Sequence, residues 1–239
     1  MPKNKRILIK VSGSAMGDAE SVSNLDFGEI KKLAQSLKKL VKSGHQVAVV
    51  SGAGNIFRGR MVKGAEMERV TADHIGMMAT HINSLALQGI LESIGQKAVV
   101  LSPFYMPKVV RPYNHQKAIE HLQKGTVVVF AGGTSNPYFT TDTTMVLRAL
   151  EIKADEVFKA TNVNGVYDSD PDKNPKAKLY KKISYTESLD KDLKVMDATA
   201  FALARENKLK LRVFKYTPAN ILKIVSDNNL GTKVYNESS

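Results

Sequence analysis

The chain has no cysteine and no tryptophan. Without cysteine there are no disulfides, no thiolate nucleophile and no thiolate-bound metal. Long apolar runs are missing too. Stretches such as Val127–Ala131 are strand length, far short of the roughly 20 residues that cross a bilayer. Before Lys10 the apolar run is only Ile7–Ile9, too little for the core of a secretory signal. The five histidines (45, 74, 81, 115 and 121) include His74 and His81, seven apart, but nothing completes a His-Glu-x-x-His metal pattern. They read as structural or exposed. These absences predict a cytoplasmic protein with no membrane partner and no histidine-bound metal.

Negative charge is also scarce. Lys and Arg number 35 against 23 Asp and Glu, a net charge of +12. The basic residues are scattered, as at Lys31, Lys32, Lys38, Lys39 and Lys42, and no run reaches five. Nucleic acid is therefore not expected as the primary partner, although the positive field would draw in phosphorylated small molecules. With 239 residues and 43% hydrophobic content, the composition suits a large α/β domain.

Apolar strand patterns alternate with helical ones. Strands are expected at 6–11, 46–50, 97–101, 126–131 and 156–160, and helices at 28–43, 65–93, 114–124 and 145–152. Asp26 with Glu29 makes a capping box, and Gly44 closes the first helix. Beyond residue 160 a polar, Pro-punctuated loop leads to a short hairpin around Leu179–Ile183. A helix at 197–207, a strand at 211–214, a helix at 219–225 and a strand at 231–235 follow. The alternation predicts a three-layer αβα sandwich with a mostly parallel central sheet. No linker or repeat interrupts it, so residues 1–239 are expected to form one domain with two functional lobes.

Four segments sit where strands end. Lys10-Val11-Ser12-Gly13 fits a cationic clamp beside a glycine-cushioned phosphate, or an ordinary turn after a surface lysine. Ser51–Arg60 carries Gly52, Gly54 and Gly59, yet Phe57 takes the third glycine position of a dinucleotide fingerprint, and Arg60-Met61 stands where a Walker A needs Lys-Ser/Thr. What remains is an anion-binding turn with Arg58 and Arg60 in reach. Residues 132–144 follow an apolar strand and precede a helix. They combine two glycines, the hydroxyls of Thr134, Thr140, Thr141 and Thr143, and one carboxylate, Asp142. Backbone N–H groups and a helix dipole receive phosphate at such places. Thr161, Asn162 and Tyr167 could bind a base and ribose, with Asp170 near the cation, or the segment could simply be an Asn-Gly and Asp-Pro turn. Within the long helix, Asp73, Gly76 and Thr80 share a face.

Together these segments resemble the bacterial UMP kinases (uridylate kinases) of the amino-acid kinase superfamily, through nearly the whole chain. The similarity is carried by Lys-Val-Ser-Gly, Gly-Ala-Gly-Asn-Ile-Phe-Arg-Gly, Asp-His-Ile-Gly-Met-Met-Ala-Thr, Gly-Gly-Thr-Ser-Asn-Pro-Tyr-Phe-Thr-Thr-Asp, Lys-Ala-Thr-Asn-Val-Asn-Gly-Val-Tyr and Val-Met-Asp-Ala-Thr-Ala-Phe-Ala-Leu-Ala-Arg. The resemblance implies transfer of the ATP γ-phosphoryl group to UMP, with Mg²⁺, in pyrimidine nucleotide biosynthesis. It places Lys10, Val11, Ser12, Gly13, Gly54 and Arg58 at the ATP phosphates. It places Thr161, Asn162, Tyr167 and Asp170 at the nucleotide end of ATP. Ala53, Asp73, Thr134, Ser135, Asn136, Pro137, Tyr138, Phe139, Thr140 and Thr141 would hold UMP. Residues 1–160 would then serve mainly UMP and the phosphates, and residues 161–239 ATP. A homohexamer with GTP and UTP effectors is implied as well, with the long helix as a candidate interface. Ser14 stands where the family has Glu, Ala53 replaces the middle of three glycines, and Ser135 replaces a glycine; the last two suffice through backbone if their φ is not positive.

The acceptor phosphate oxygen of UMP is already ionised near neutral pH, so no general base is required. Lys10 and Arg58 are therefore assigned to transition-state charge, and Asp142 to positioning Mg²⁺ or Lys10. No direct protein ligand to the metal is assigned beyond Asp142. Three alternatives compete: a superfamily relative that phosphorylates a carboxylate, disfavoured by Asp73 and Tyr138-Phe139; a basic nucleic-acid or nucleotide-sensing module; and an NAD-binding dehydrogenase, weakened by Phe57.

Overall fold

The computed structural model describes residues 4–17, 24–58, 67–193 and 196–236. Gly59 and Arg60 of the second turn, and the expected helix start at Ala65, lie outside the described residues.

Nine strands of the described residues form one sheet: β1 (Arg6–Val11), β2 (Gln46–Ser51), β3 (Ala98–Ser102), β4 (Arg111–Pro112), β5 (Val127–Phe130), β6 (Glu156–Thr161), β7 (Lys182–Ser184), β8 (Leu211–Lys215) and β9 (Thr232–Tyr235). Their order is β4-β3-β5-β2-β1-β6-β8-β9-β7. Every neighbouring pair is parallel except β8 with β9. Strands buried on both faces read as near-continuous apolar runs: β5 is VVVF, and β2 carries VAVV between Gln46 and Ser51.

The helices are α1 (Phe27–Lys42), α2 (Arg69–Ser93), α3 (His115–Gln123), α4 (Thr141–Glu151), α5 (Tyr185–Asp190), α6 (Ala198–Glu206) and α7 (Pro218–Lys223). Helices α1, α2 and α7 pack with Ile7, Ile9, Val47 and Val49 on one face of the sheet. Helices α3, α4, α5 and α6 pack with Leu8, Ala48, Val50 and Val157 on the other. This is the expected three-layer α/β sandwich. Asp26 caps α1 by accepting from the Gly28 and Glu29 N–H groups, as expected, but Glu29 pairs with Lys32 instead of completing the box. Gly44 ends α1 with φ of 89°, which a side chain would resist.

Three differences from the sequence expectation bear on function. Helix α4 begins at Thr141, four residues before the expected Met145, because the Thr140 hydroxyl caps it by accepting from the Asp142 N–H. The polar stretch thus donates its last residues to a first helical turn. Around Leu179 the hairpin is reduced to one antiparallel bridge, Tyr167–Leu179, and Lys182–Ser184 pairs in parallel with β9 instead. A partner some fifty residues away leaves no local signature. Strand β4, helix α5 and a 3-10 turn at Gly13–Ala15 were not anticipated; all are very short.

Candidate active site

Strands β1, β2, β3, β5, β6 and β8 run in one direction, so the turns after β1, β2, β5 and β6 open on one edge of the sheet. In open α/β sheets, ligands bind outside the carboxyl ends of the strands. Strand β1 lies between β2 and β6, which puts Lys10 and the turn that follows it at the centre of that edge.

The first two turns interlock. The Gly52 N–H donates to Val11 O at 2.9 Å. A Cβ on Gly13 would lie 2.5 Å from the Gly54 nitrogen and from Asn55 Oδ1, so only glycine allows this contact. Beneath them two fully buried amides hold each other. Asn83 donates to Gly52 O at 2.7 Å and to Asn55 Oδ1 at 2.8 Å, and Asn55 donates back to Asn83 Oδ1 at 3.0 Å. Arg58, half-buried, donates through Nε to Gly54 O and so stands on the same turn. The Val11 side chain is buried in the core, leaving only its backbone to face the edge. Ser14, in place of the expected Glu, hydrogen-bonds Ser12 at 2.6 Å and reaches Asn162 Oδ1 at 3.4 Å, joining the turns after β1 and β6.

Side chains alternate along a strand, so Lys10 follows Leu8 toward the α4 layer. There it meets Asp142 in the first turn of α4, Nζ to Oδ1 3.0 Å, as an ion pair rather than a well-directed hydrogen bond. The other carboxylate oxygen receives the Lys159 ammonium. Burial alone would push the Asp142 carboxyl up, but the two ammonium groups outweigh it and hold it below its ordinary value. Burial pulls the Lys159 ammonium down more than Asp142 restores it.

A cavity of about 330 Å³ opens beside these turns, lined by Ala53, Gly54, Phe57, Asp73, Gly76, Thr80, Gly133, Phe139, Thr140 and Thr141, among others. Asp73, Gly76 and Thr80 do share its wall, and Phe57 is packed opposite Gly76. Asp73 accepts the Tyr138 N–H at 2.7 Å, and the Arg69 guanidinium lies 4.5 Å from the centre of the Tyr138 ring. Thr134 and Asn136 close a local turn, with the Thr134 hydroxyl bonded to both the N–H and the C=O of Asn136. Tyr138 is largely exposed, as is Phe139. Ala53 has ordinary backbone, but Ser135 takes φ of 65°, so the proviso attached to that replacement fails. The serine carries left-handed strain of about 1 kcal/mol.

On the other side of β1 lies a second cavity of about 480 Å³, with Thr161, Tyr167, Asp168, Asp170 and Lys191 on its wall. Asp170 accepts the Asp172 N–H at 3.1 Å, and Thr161 donates to Val163 O at 2.9 Å. Two residues of the inner cluster were not singled out from the sequence. Lys159 ends an apolar strand just as Lys10 does, and that parallel was the available signal. Asp197, at the start of the helix expected over 197–207, caps α6 and also accepts from the hydroxyls of Thr140 and Thr143, a contact without a local sequence signal. His45 and His81 are buried, and burial holds both rings below their ordinary pKa. His81 is bonded to Met77 O and the Ser102 hydroxyl, a structural role.

Among the described residues, no group of three His, Cys, Asp or Glu could cage a metal, and no helix is long and apolar enough to cross a membrane. Comparison with known proteins joins the fold and the site. Residues 5–215 match the model of the amino acid kinase family. The chain is 49% identical to a uridylate kinase of Rickettsia bellii over 97% of each chain. It superposes on a UMP kinase from Bacillus anthracis with a TM-score of 0.93 at 35% identity, covering 98% of this chain and 97% of that one. For a UMP kinase from Ureaplasma parvum the score is 0.92 at 39% identity, covering 98% and 99%. The family match over most of the chain and the full-length likeness to a uridylate kinase show that the chain belongs to the amino acid kinase family and, within it, to the uridylate kinases.

Proposed function

We propose that the protein is a UMP kinase, transferring the γ-phosphoryl group of ATP to UMP to give UDP. One observation carries this reading: the Lys10 strand end, with Gly13 packed on Gly54, lies between a cavity walled by Asp73 and Thr140 and another walled by Thr161 and Tyr167. Two nucleotides seated there would meet end to end. UMP takes the first cavity, held by Ala53, Asp73 and residues 134–141. ATP takes the second, through Thr161, Asn162, Tyr167 and Asp170, its phosphates reaching Lys10, Ser12, Gly13, Gly54 and Arg58. Residues 1–160 thus serve mainly UMP and the phosphates, and 161–239 mainly ATP, within one domain.

The chemistry is positioning and charge, not proton removal. The UMP phosphate is ionised near neutral pH, so its oxygen attacks without a base. Lys10 and Arg58 offset charge on the transferred group, and N–H groups of the interlocked turns receive phosphate oxygens. Asp142 has both oxygens engaged by ammonium groups, which fits it to aim Lys10 and makes it a poor direct metal ligand. A Mg²⁺ ion fits this site as one carried by phosphate oxygens and water, where it would neutralise charge between the phosphates.

The setting is read as cytoplasmic. The exposed α2 side chains Ile75, Met78 and Ile82 lie at helical spacing and suit self-association, in line with a homohexamer subject to GTP and UTP. A coupled assay of ADP release with UMP, CMP, aspartate and glutamate tests the reading. UMP-dependent release is expected to exceed the others by at least about tenfold; release with aspartate or glutamate and not UMP would assign the chain to carboxylate phosphorylation.

A further inference from the structure

Lys159 has no part in the mechanism above, yet it shares the carboxylate that aims Lys10. We propose that Lys159 is a positioning residue for phosphoryl transfer: by holding one oxygen of Asp142 it keeps Asp142 from closing on Lys10 and cancelling its charge. The inference rests on the reading of Lys10 and Asp142 as parts of the phosphoryl-transfer site.

Strand register brings the two lysines together. Lys10 and Lys159 are direct partners in the parallel pairing of β1 with β6, and both point to the α4 layer, as Leu8 and Val157 do. A plain core would continue that apolar series. Instead an ammonium group is buried, its side chain 9% exposed, beside Lys10 at 12% and Asp142 at 13%. Burying a charge is costly unless it is paired, and here two cations share one carboxylate. Two like charges forced together in a site are seldom an accident of packing.

Charge arithmetic gives the arrangement its use. Lys10 with Asp142 alone sums to zero, a poor host for a polyanion. Adding Lys159 makes the trio +1. The geometry agrees, since Oδ1 faces Lys10 and Oδ2 faces Lys159, so the carboxylate bridges and neither oxygen is spare for a second contact to Lys10. Asp197, the next carboxylate, is turned to the hydroxyls of Thr140 and Thr143 and to the Ala200 N–H, and is the weakest of the influences on Lys159. Without Lys159, both Asp142 oxygens can turn to Lys10.

The test is a double-mutant cycle on the full chain with UMP and ATP: Lys159→Met, Asp142→Asn, the double variant, and Lys10→Met for reference, each with thermal unfolding. Lys159→Met is expected to lower kcat about 100-fold while the UMP KM moves less than about threefold. Because Lys159 acts through Asp142, the double variant is expected to match Asp142→Asn alone. Should Lys159→Met fail to fold, that last comparison stands, since the double variant leaves no unpaired carboxylate buried. Near-normal kcat in folded Lys159→Met would reduce the residue to packing and overturn the inference. So would a double variant falling about 100-fold below Asp142→Asn, which marks an action independent of Asp142. Normal turnover in Lys10→Met would instead overturn the reading of the site itself.

Discussion

The two ends of the crevice use the same residue types to opposite effect. At the inner end Asp142 is sealed between Lys10 and Lys159, all three side chains mostly buried. At the outer end Asp168 and Asp170 lie in an exposed loop. Asp168 accepts the Lys178 N–H at 2.8 Å, and that backbone bond is the main reason its carboxyl sits below its ordinary value. Asp170 pairs with Lys173 only at 4.0 Å. Buried, a carboxylate fixes the direction of a cation; exposed, it shapes a loop and leaves recognition to the ligand. Water decides the difference, because exposed ion pairs are screened to little net value while buried ones cannot be broken cheaply.

That contrast can be broken or sharpened in order of effect. Lys10→Met strikes the sealed end and should lower kcat about a thousandfold, and Arg58→Ala about a hundredfold, with circular dichroism unchanged; near-normal turnover of either would remove it from the transition state. Gly13→Ala drives a methyl into the Gly54–Asn55 backbone. Overpacking of this kind costs about 1–3 kcal/mol, so unfolding should come several degrees earlier and activity should fall as the turns part. A variant as stable as the parent would show the turns to be looser than their contact distances indicate. In the open end, Tyr167→Ala should raise the ATP KM about tenfold and leave the melting temperature alone; a large loss of stability would mean that this wall, too, is part of the core.

Two smaller effects separate the regions further. His45 and His81 are kept neutral by burial, below the ordinary value of 6.5. The unfolded chain binds protons there that the folded chain refuses. The stability is therefore complete above 6.5 and declines as pH falls below it. Melting temperature should drop between about pH 7.5 and 5.5, and His81→Gln should shrink the drop. A flat profile would mean that the rings take protons without cost. Smallest of all, Ser135→Gly relieves left-handed strain but adds chain entropy, terms of about 1 kcal/mol each and opposite sign. Stability and UMP KM should both stay nearly unchanged, whereas a rise in KM beyond about threefold would give the Ser135 side chain a part in binding.

Much of this was legible residue by residue. Arg6–Val11 matched β1 to the residue, since the apolar run Ile7–Ile9 marks a buried parallel strand and the cations Arg6 and Lys10 stand near its two ends. Asp26 marked a helix start by the chemistry of its side chain, and the helices expected from 114 and 197 begin one residue later, with Asn114 and Asp197 as their caps. The α4 start was misplaced because Thr141–Thr144 are weak helix formers, and only the Thr140 cap, itself bonded to Asp197, brings the helix back to them. Lys159 shares with Lys10 a place near the end of an apolar strand, but only the register that sets the two side by side shows that they meet at one carboxylate.

By itself the sequence determined the alternation of elements, the glycine turns at strand ends and the inventory of cations and hydroxyls, because these follow from side-chain shape and polarity acting over a few residues. Tertiary structure alone decided that Lys10 and Lys159 stand at one register, that Asp142 lies between them, and that Gly13 touches Gly54. Such contacts join residues more than a hundred positions apart or across separate turns. Their energies depend on burial and charge spacing, and those come into being only when the sheet is assembled.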